Sequence, residues 1–412
     1  MTSATPDRDF ATVPRSPGRP AETATVTTRD LRLDVARGIA MFIILIAHIP
    51  YDPWANWIPA RFGFSDATEI FVFCSGMASA IAFGGAFLNR GWAMGTARTA
   101  YRLWQVYWAH IGLFFFVAMS MAAIDLYANF DKSYVDALNL QHFFEAPEKN
   151  IVALFTLTYV PNYFDILPMY LGVLALMPVL MFIVMRVGVA AAMATSVAIW
   201  LAANFGMFPL PAEPWSDRQW FFNPFAWQLL FFTGFAFMRG WLPAPRISAG
   251  LIWLSIAFLI LGAPFGAWKV FLWVEAGHQG LGDWIRSTYP LTAELRDKTE
   301  FGLLRYLHFL AIAYLAYAAV GDGGHRLHAT GDGFGARIWR WLMVQIVKVG
   351  QQSLAVFVFS MAIAQLIGMT FDQLGRSFAV VTAGNLIGFG LLIGVAYLAS
   401  WFKSQPWRGR KA

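Results

Sequence analysis

Apolar positions in this chain gather into long runs, not into alternating or one-sided patterns. Ten runs stand out, at about residues 33–50, 67–88, 99–122, 163–185, 187–205, 224–241, 248–272, 302–320, 342–369 and 378–401. A helix rises about 1.5 Å per residue, so about 20 residues cross a hydrocarbon core of roughly 30 Å. The pattern predicts an all-α polytopic membrane protein with about ten transmembrane helices. Strands of a membrane barrel would alternate apolar and polar residues, and these runs do not. Two shorter stretches behave differently. IVALFTLTYVP (151–161) is too short to cross alone and predicts a half-helix or interfacial helix before span four. RIWRWLMVQIVKV (337–349) mixes cations with large apolar side chains and predicts a basic interfacial helix leading into span nine.

Composition strengthens this picture. The chain is 58% hydrophobic and 13% charged, with a mean hydropathy of +0.53, whereas soluble domains carry about a quarter charged residues. The single cysteine, Cys74, excludes a disulfide within the chain. A net charge of +6 would suit nucleic acid, but no recognition motif accompanies it, and in a membrane protein excess Lys and Arg marks cytoplasmic loops. With the N-terminus inside, Arg90, Arg98, Arg186, Arg239, Arg337, Lys403, Arg410 and Lys411 all fall on the cytoplasmic side. Acidic residues such as Asp131, Glu145, Glu213, Glu275, Asp297 and Glu300 gather in three longer outer loops. Both termini are therefore expected in the cytoplasm. Residues 1–28 lack an apolar run and predict a disordered tail. No signal-peptide core precedes span one. Residues 29–402 read as one membrane domain and 403–412 as a basic tail.

Ionisable residues inside spans are costly, so each is a candidate for function. In span one, Arg37 and His48 are eleven residues apart, which returns them to nearly one helix face, about three turns apart. Asp34 can pair with Arg37. A snorkelling arginine and an interfacial histidine are the competing structural reading. Span two opens with FGFSDATEIFVFCSG, where Asp66 and Glu69 sit one turn apart near the outer surface, next in sequence to His48. Either carboxylate could orient the imidazole; helix capping is the alternative. Ser75 and Gly76 permit close helix packing, and nothing adjacent activates Cys74 or Ser75 as a nucleophile. Arg98 and Arg102 share a face at the inner mouth of span three and could grip a phosphate. His110 lies two turns deeper. Asp165 enters span four, and Arg305 with His308 enters span eight from outside. Asn223, Trp227 and Gln228 suit sugar hydroxyls, and equally an aromatic belt. No metal site is expected.

The stretches RDLRLDVARGIAMFIILIAHIP, FGFSDATEIFVFCSG, DILPMYLGVLALMP, FNPFAWQLLFFTGF and GQQSLAVFVFSM together resemble the OpgC family, from residue 29 to about 400. That resemblance implies an inner-membrane protein of bacteria that succinylates osmoregulated periplasmic glucans, and it implies kinship with the acyltransferase-3 superfamily. The superfamily's first helix carries Arg, ten residues, then His, and Arg37 and His48 fit. FVFCSG is similar to its Ser-Gly motif. The superfamily's third-helix Arg pair is spaced more tightly than Arg98 and Arg102, and Ser360 stands where its late helix often ends in His.

The resemblance implies an acyl-coenzyme A donor, succinyl-coenzyme A, as a co-substrate with no permanently bound cofactor. Arg37, Arg98 and Arg102 would receive it from the cytoplasm. A periplasmic glucan would supply the hydroxyl, His48 would act as general base, and Glu69 or Asp66 would orient it. His110 and His308 are the other candidates for the base. The lipid bilayer and other glucan-synthesis membrane proteins are the implied partners. Two rival classes remain. A transporter or flippase for an anionic substrate would also use intramembrane arginines, although no inverted repeat is visible. A non-catalytic membrane scaffold would not need so many charged groups.

Overall fold

Helix caps and glycines, read against the apolar runs, explain where the elements start and stop. The computed structural model describes residues 30–128 and 130–408; the 1–28 tail, Arg410 and Lys411 lie outside the described residues. The apolar runs are carried by α1 (Leu31–His48), α2 (Ala67–Arg90), α3 (Trp92–Tyr127), α4 (Ile166–Arg186) and α5 (Val189–Asn204). They continue in α6 (Pro224–Met238), α7 (Ala249–Gly266), α8 (Leu303–Val320), α9 (Ser353–Leu374) and α10 (Phe378–Ser404). Among the described residues, seven helices are long and apolar enough to cross a membrane: α2, α3, α4, α7, α8, α9 and α10. α5 and α6 are shorter apolar helices, and α1 carries Arg32, Asp34 and Arg37 in its first half.

Some boundaries differ from the hydropathy pattern. Span nine was expected from 342, but α9 starts at Ser353, because the preceding basic helix runs separately over Phe334–Gln351 and the chain leaves helical geometry at Gln352. The apolar residues on both sides outweighed the short polar stretch GQQS (350–353), so hydropathy did not mark the break. Span seven was expected to reach 272. It ends at Gly266, where Ala267 turns extended, and a second helix takes over at Trp268–Gly277. The half-helix expected near 151–161 is Pro147–Phe155, followed by an irregular stretch in which Leu157 and Tyr163 have positive φ. A further helix, Gln279–Arg296, occupies the outer loop before α8.

α6 is the central helix. Nearly all its residues are buried, from Pro224 to Ala236, as expected for a helix apolar on every side. It lies so close to α2 that a Cβ on Gly76 would collide with the Phe231 carbonyl and one on Gly234 with the Phe73 carbonyl. Small residues let helix backbones approach in this way. α1 makes the same kind of contact with helix Phe334–Gln351, through Gly38 at the Ile346 carbonyl and Gly350 at the Asp34 carbonyl. α7, by contrast, leaves Trp253, Leu254, Ile260 and Leu261 exposed, a surface suited to lipid.

A methyl group at Gly76 has only backbone to push against, so overpacking is expected to cost about 1–3 kcal/mol. Gly76→Ala should lower the thermal aggregation midpoint of detergent-solubilised protein by several degrees. Gly390→Ala, where nothing lies within 4 Å, should leave it unchanged or slightly raised.

Candidate functional site at two ends of one helix

At one end, α1 delivers His48 on its last turn, half-buried. Its Nδ1 lies 2.7 Å from the Ile44 carbonyl oxygen. A carbonyl only accepts, so in the neutral ring the proton sits on Nδ1 and Nε2 keeps its lone pair. Nε2 has no hydrogen-bond partner among the described residues. The Tyr163 ring packs edge-on at 5.6 Å, and its hydroxyl donates to the Met361 carbonyl.

Beside His48, α2 starts with a reciprocal cap. Asp66 Oδ1 accepts from the Thr68 N–H at 2.6 Å, and Glu69 Oε2 accepts from the Asp66 N–H at 2.7 Å. Each carboxylate also takes a cation. Lys298 Nζ donates to Asp66 Oδ2 at 2.5 Å, and Arg305 Nη1 donates to the fully buried Glu69 Oε1 at 2.8 Å. Burial alone would raise the Asp66 carboxyl, but the Lys298 ammonium and the Thr68 hydrogen bond hold it well below the usual carboxylate range. The expectation that Asp66 or Glu69 orients His48 meets a different arrangement. Ile44 holds the ring, because both carboxylates are engaged in capping α2 and pairing with Lys298 and Arg305.

The other candidates separate. His308 Nδ1 lies 2.6 Å from Ser65 Oγ, and its Nε2 side is closed by Gly63; both side chains are buried. His110 is fully buried in α3, and neither ring nitrogen has a partner among the described residues. Asp165 stands at the N-cap position of α4 without making a side-chain capping bond, and its Oδ1 has no partner among the described residues. Asn223, Trp227 and Gln228, the sugar candidates, are engaged in holding the fold. The Asn223 N–H and Trp227 Nε1 bond the carbonyls of Thr299 and Lys298, while Gln228 exchanges two hydrogen bonds with Ser196.

At the other end lies a cavity of about 220 Å³, with Arg37, Ser75, Ser79, Arg102, Tyr170 and Ser353 in its wall. An Arg37 Nη2–H donates to Ser353 Oγ, and Gln351 Nε2 donates to Asp34 Oδ2 at 3.4 Å. α2 interrupts its regular helix here with a π-turn, Ala80–Gly84, that brings Ala82 and Phe83 to the wall; such turns recur at functional sites. Arg102 also donates to Gln105 Oε1 at 3.1 Å. The structure thus joins Arg102 to Arg37. Arg98, expected to act with Arg102, is exposed one turn away and does not line the cavity. His48 lies eleven positions after Arg37 on α1, about 16 Å along the axis.

Sequence reasoning missed Ser353, Tyr163 and Lys298. Ser353 and Tyr163 act through partners from distant segments. Lys298 sits in a charged loop where one cation among several acids gives no signal.

A family model described as OpgC protein matches residues 29–404. No curated protein and no solved structure matches the chain.

The Glu69–Arg305 pair is the testable link between the caps. Removing one partner of a buried ion pair costs about 3–5 kcal/mol. Glu69→Gln and Arg305→Met should each sharply lower thermal stability in detergent, and the double variant should recover much of the loss. Additive losses in that double-mutant cycle would show that the pair is not coupled.

Proposed function

The chain belongs to the OpgC protein family, and from that premise we propose that it is a multi-pass acyltransferase of the bacterial inner membrane. Its ten apolar helices cross the bilayer with the Arg37 end in the cytoplasm and the His48 end facing the periplasm. The donor is an acyl-coenzyme A, succinyl-coenzyme A by family, and the acceptor is a hydroxyl of a periplasmic glucan. The observation that carries the reading is α1 itself. One of its residues, Arg37, lines a cavity with a second arginine, and another, His48, bonds Ile44 through Nδ1 and leaves Nε2 without a partner among the described residues at the opposite end.

The chemistry follows from those two ends. Arg37 and Arg102 offer forked guanidinium donors suited to the donor's phosphates, and a thin acyl-bearing arm extends from there towards His48. His48 Nε2 accepts the proton of the glucan hydroxyl as its oxygen attacks the thioester carbonyl; the thiolate leaves and takes up a proton. General-base catalysis of this kind contributes about 10²–10⁴-fold, and alignment of the two substrates lowers the barrier further. Ile44 serves the base by fixing the tautomer.

The direct test is protein reconstituted in liposomes and given acyl-labelled coenzyme A thioester and an oligoglucan. Label should pass into the glucan with release of free thiol. Movement of an anionic solute across the liposome without thioester cleavage would favour a transporter instead.

His48→Ala should remain folded and inserted yet lose glucan acylation by about 10²–10⁴-fold; wild-type rates would remove His48 from the base role. Arg102→Gln should raise the donor KM about tenfold or more, and leave the acceptor KM nearly unaltered. A change in acceptor KM alone would move this arginine away from the donor.

A further inference from the structure

The segment Lys298–Phe301 is held more tightly than an outer loop needs to be. Its four successive carbonyls accept from Trp227 Nε1 at 2.9 Å, the Asn223 N–H at 3.1 Å, Asn204 Nδ2 at 2.9 Å and Trp200 Nε1 at 2.9 Å. Phe301, at the end of the run, is fully buried with a φ of 47°. A bulky residue in the left-handed region is strained, and such strain persists only where surroundings over-determine it. The effect is to fix the backbone that presents Lys298.

Lys298 is thereby set at the His48 end. Its ammonium stands 5.8 Å from the Phe221 ring centroid and 5.5 Å from that of Phe222. It bonds Asp66 Oδ2 at the start of α2, the helix the chain enters after leaving α1 at His48. An ammonium has three N–H donors. Asp66 takes one, and no other acceptor engages Nζ among the described residues. The side chain remains 28% exposed, so the remaining donors are open to a ligand.

We propose that Lys298 selects the acyl group, by receiving the terminal carboxylate of a dicarboxylic acyl chain while the Phe221 and Phe222 rings flank its methylenes. This rests on the acyl-transfer reading above. In that reading the acyl end is the part of the donor farthest from its phosphates, so it leads towards the His48 end. With the thioester carbonyl near Nε2, any group beyond it points outward to where Lys298 stands. A free carboxylate there meets a fixed ammonium at the edge of an apolar wall. An acetyl group has no charge to offer it and ends short of it. Lys298 is then a specificity-determining residue, and the Asp66 bond and the clamped carbonyls keep its position.

The test compares succinyl- and acetyl-coenzyme A as donors in proteoliposomes, for the wild type, Lys298→Met, Lys298→Arg and the double variant Asp66→Asn/Lys298→Met. The double variant leaves no uncompensated carboxylate at position 66, so its behaviour separates selectivity from instability. The succinyl-over-acetyl ratio of kcat/KM should fall about 10–100-fold in Lys298→Met, mainly through the donor KM. The double variant should lose the same ratio, and Lys298→Arg should keep most of it. Equal losses with both donors would overturn the proposal and make Lys298 a structural or oxyanion-stabilising group. A rise confined to the acceptor KM would also overturn it, assigning the ammonium to the glucan. If the wild type transfers neither acyl group, the acyl-transfer reading itself falls and the proposal falls with it.

Discussion

Glu69 has no exposed surface, yet it holds two donors from different parts of the chain: Arg305 at 2.8 Å and the Asp66 N–H at 2.7 Å. A carboxylate buried in an apolar bundle is tolerated only when paired and hydrogen-bonded. Meeting that condition ties the start of α2 to α8 and fixes the orientation of Asp66. Asp66 in turn fixes Lys298, whose backbone is clamped by α5 and α6. The arrangement around His48 is thus a consequence of one electrostatic requirement passed from group to group. The same logic explains why neither carboxylate is free to bond the imidazole, and why the ring relies on the carbonyl of Ile44, one turn back on its own helix.

α1 connects this end to the other. It brings Arg37 to the Ser353 hydroxyl and the cavity wall, and it is pinned at Gly38 and Asp34 by helix Phe334–Gln351. Ser353 is the first residue of α9 after the break at Gln352. The break that hydropathy did not detect is therefore what sets the partner of Arg37.

The apolar runs were legible because length and hydropathy act over about 20 residues, and no local detail reverses them. The spacing of Arg37 and His48 was legible for a similar reason, since helix geometry converts a sequence interval into a face and a distance. Capping by Asp66 and Glu69 was legible as an alternative, because a capping box is a local motif. What could not be read was every relation between distant segments. Lys298 and Asp66 are partners across 232 residues, and Glu69 and Arg305 across 236. Asn223 and Trp227 looked available to a ligand because their chemistry suits one, but the carbonyls that occupy them belong to a loop more than 70 residues away. Arg98 and Arg102 share a face in sequence, yet only Arg102 reaches the cavity, while Arg98 is exposed.

The contacts that hold the bundle also bear on which kind of function it can serve. An alternating-access transporter rocks one group of helices against another around a central site. Here α2 and α6 meet backbone to backbone at two glycines, and α1 meets helix Phe334–Gln351 in the same way. The buried Glu69–Arg305 pair then locks α2 to α8, and the partly exposed Asp66–Lys298 pair ties α2 to the clamped loop at the His48 end. Rocking would have to break close-packed glycine contacts and expose paired charges together, and interiors packed this tightly do not deform continuously. A rigid frame with an arginine-lined cavity at one end and a histidine at the other favours a different solution. In the acyl-transfer reading the protein stays still and the substrate spans the distance. A donor with its charge at one end and its reactive group on a long thin arm suits a separation of about 16 Å along α1, which is the physical reason to prefer acyl transfer over transport for this arrangement.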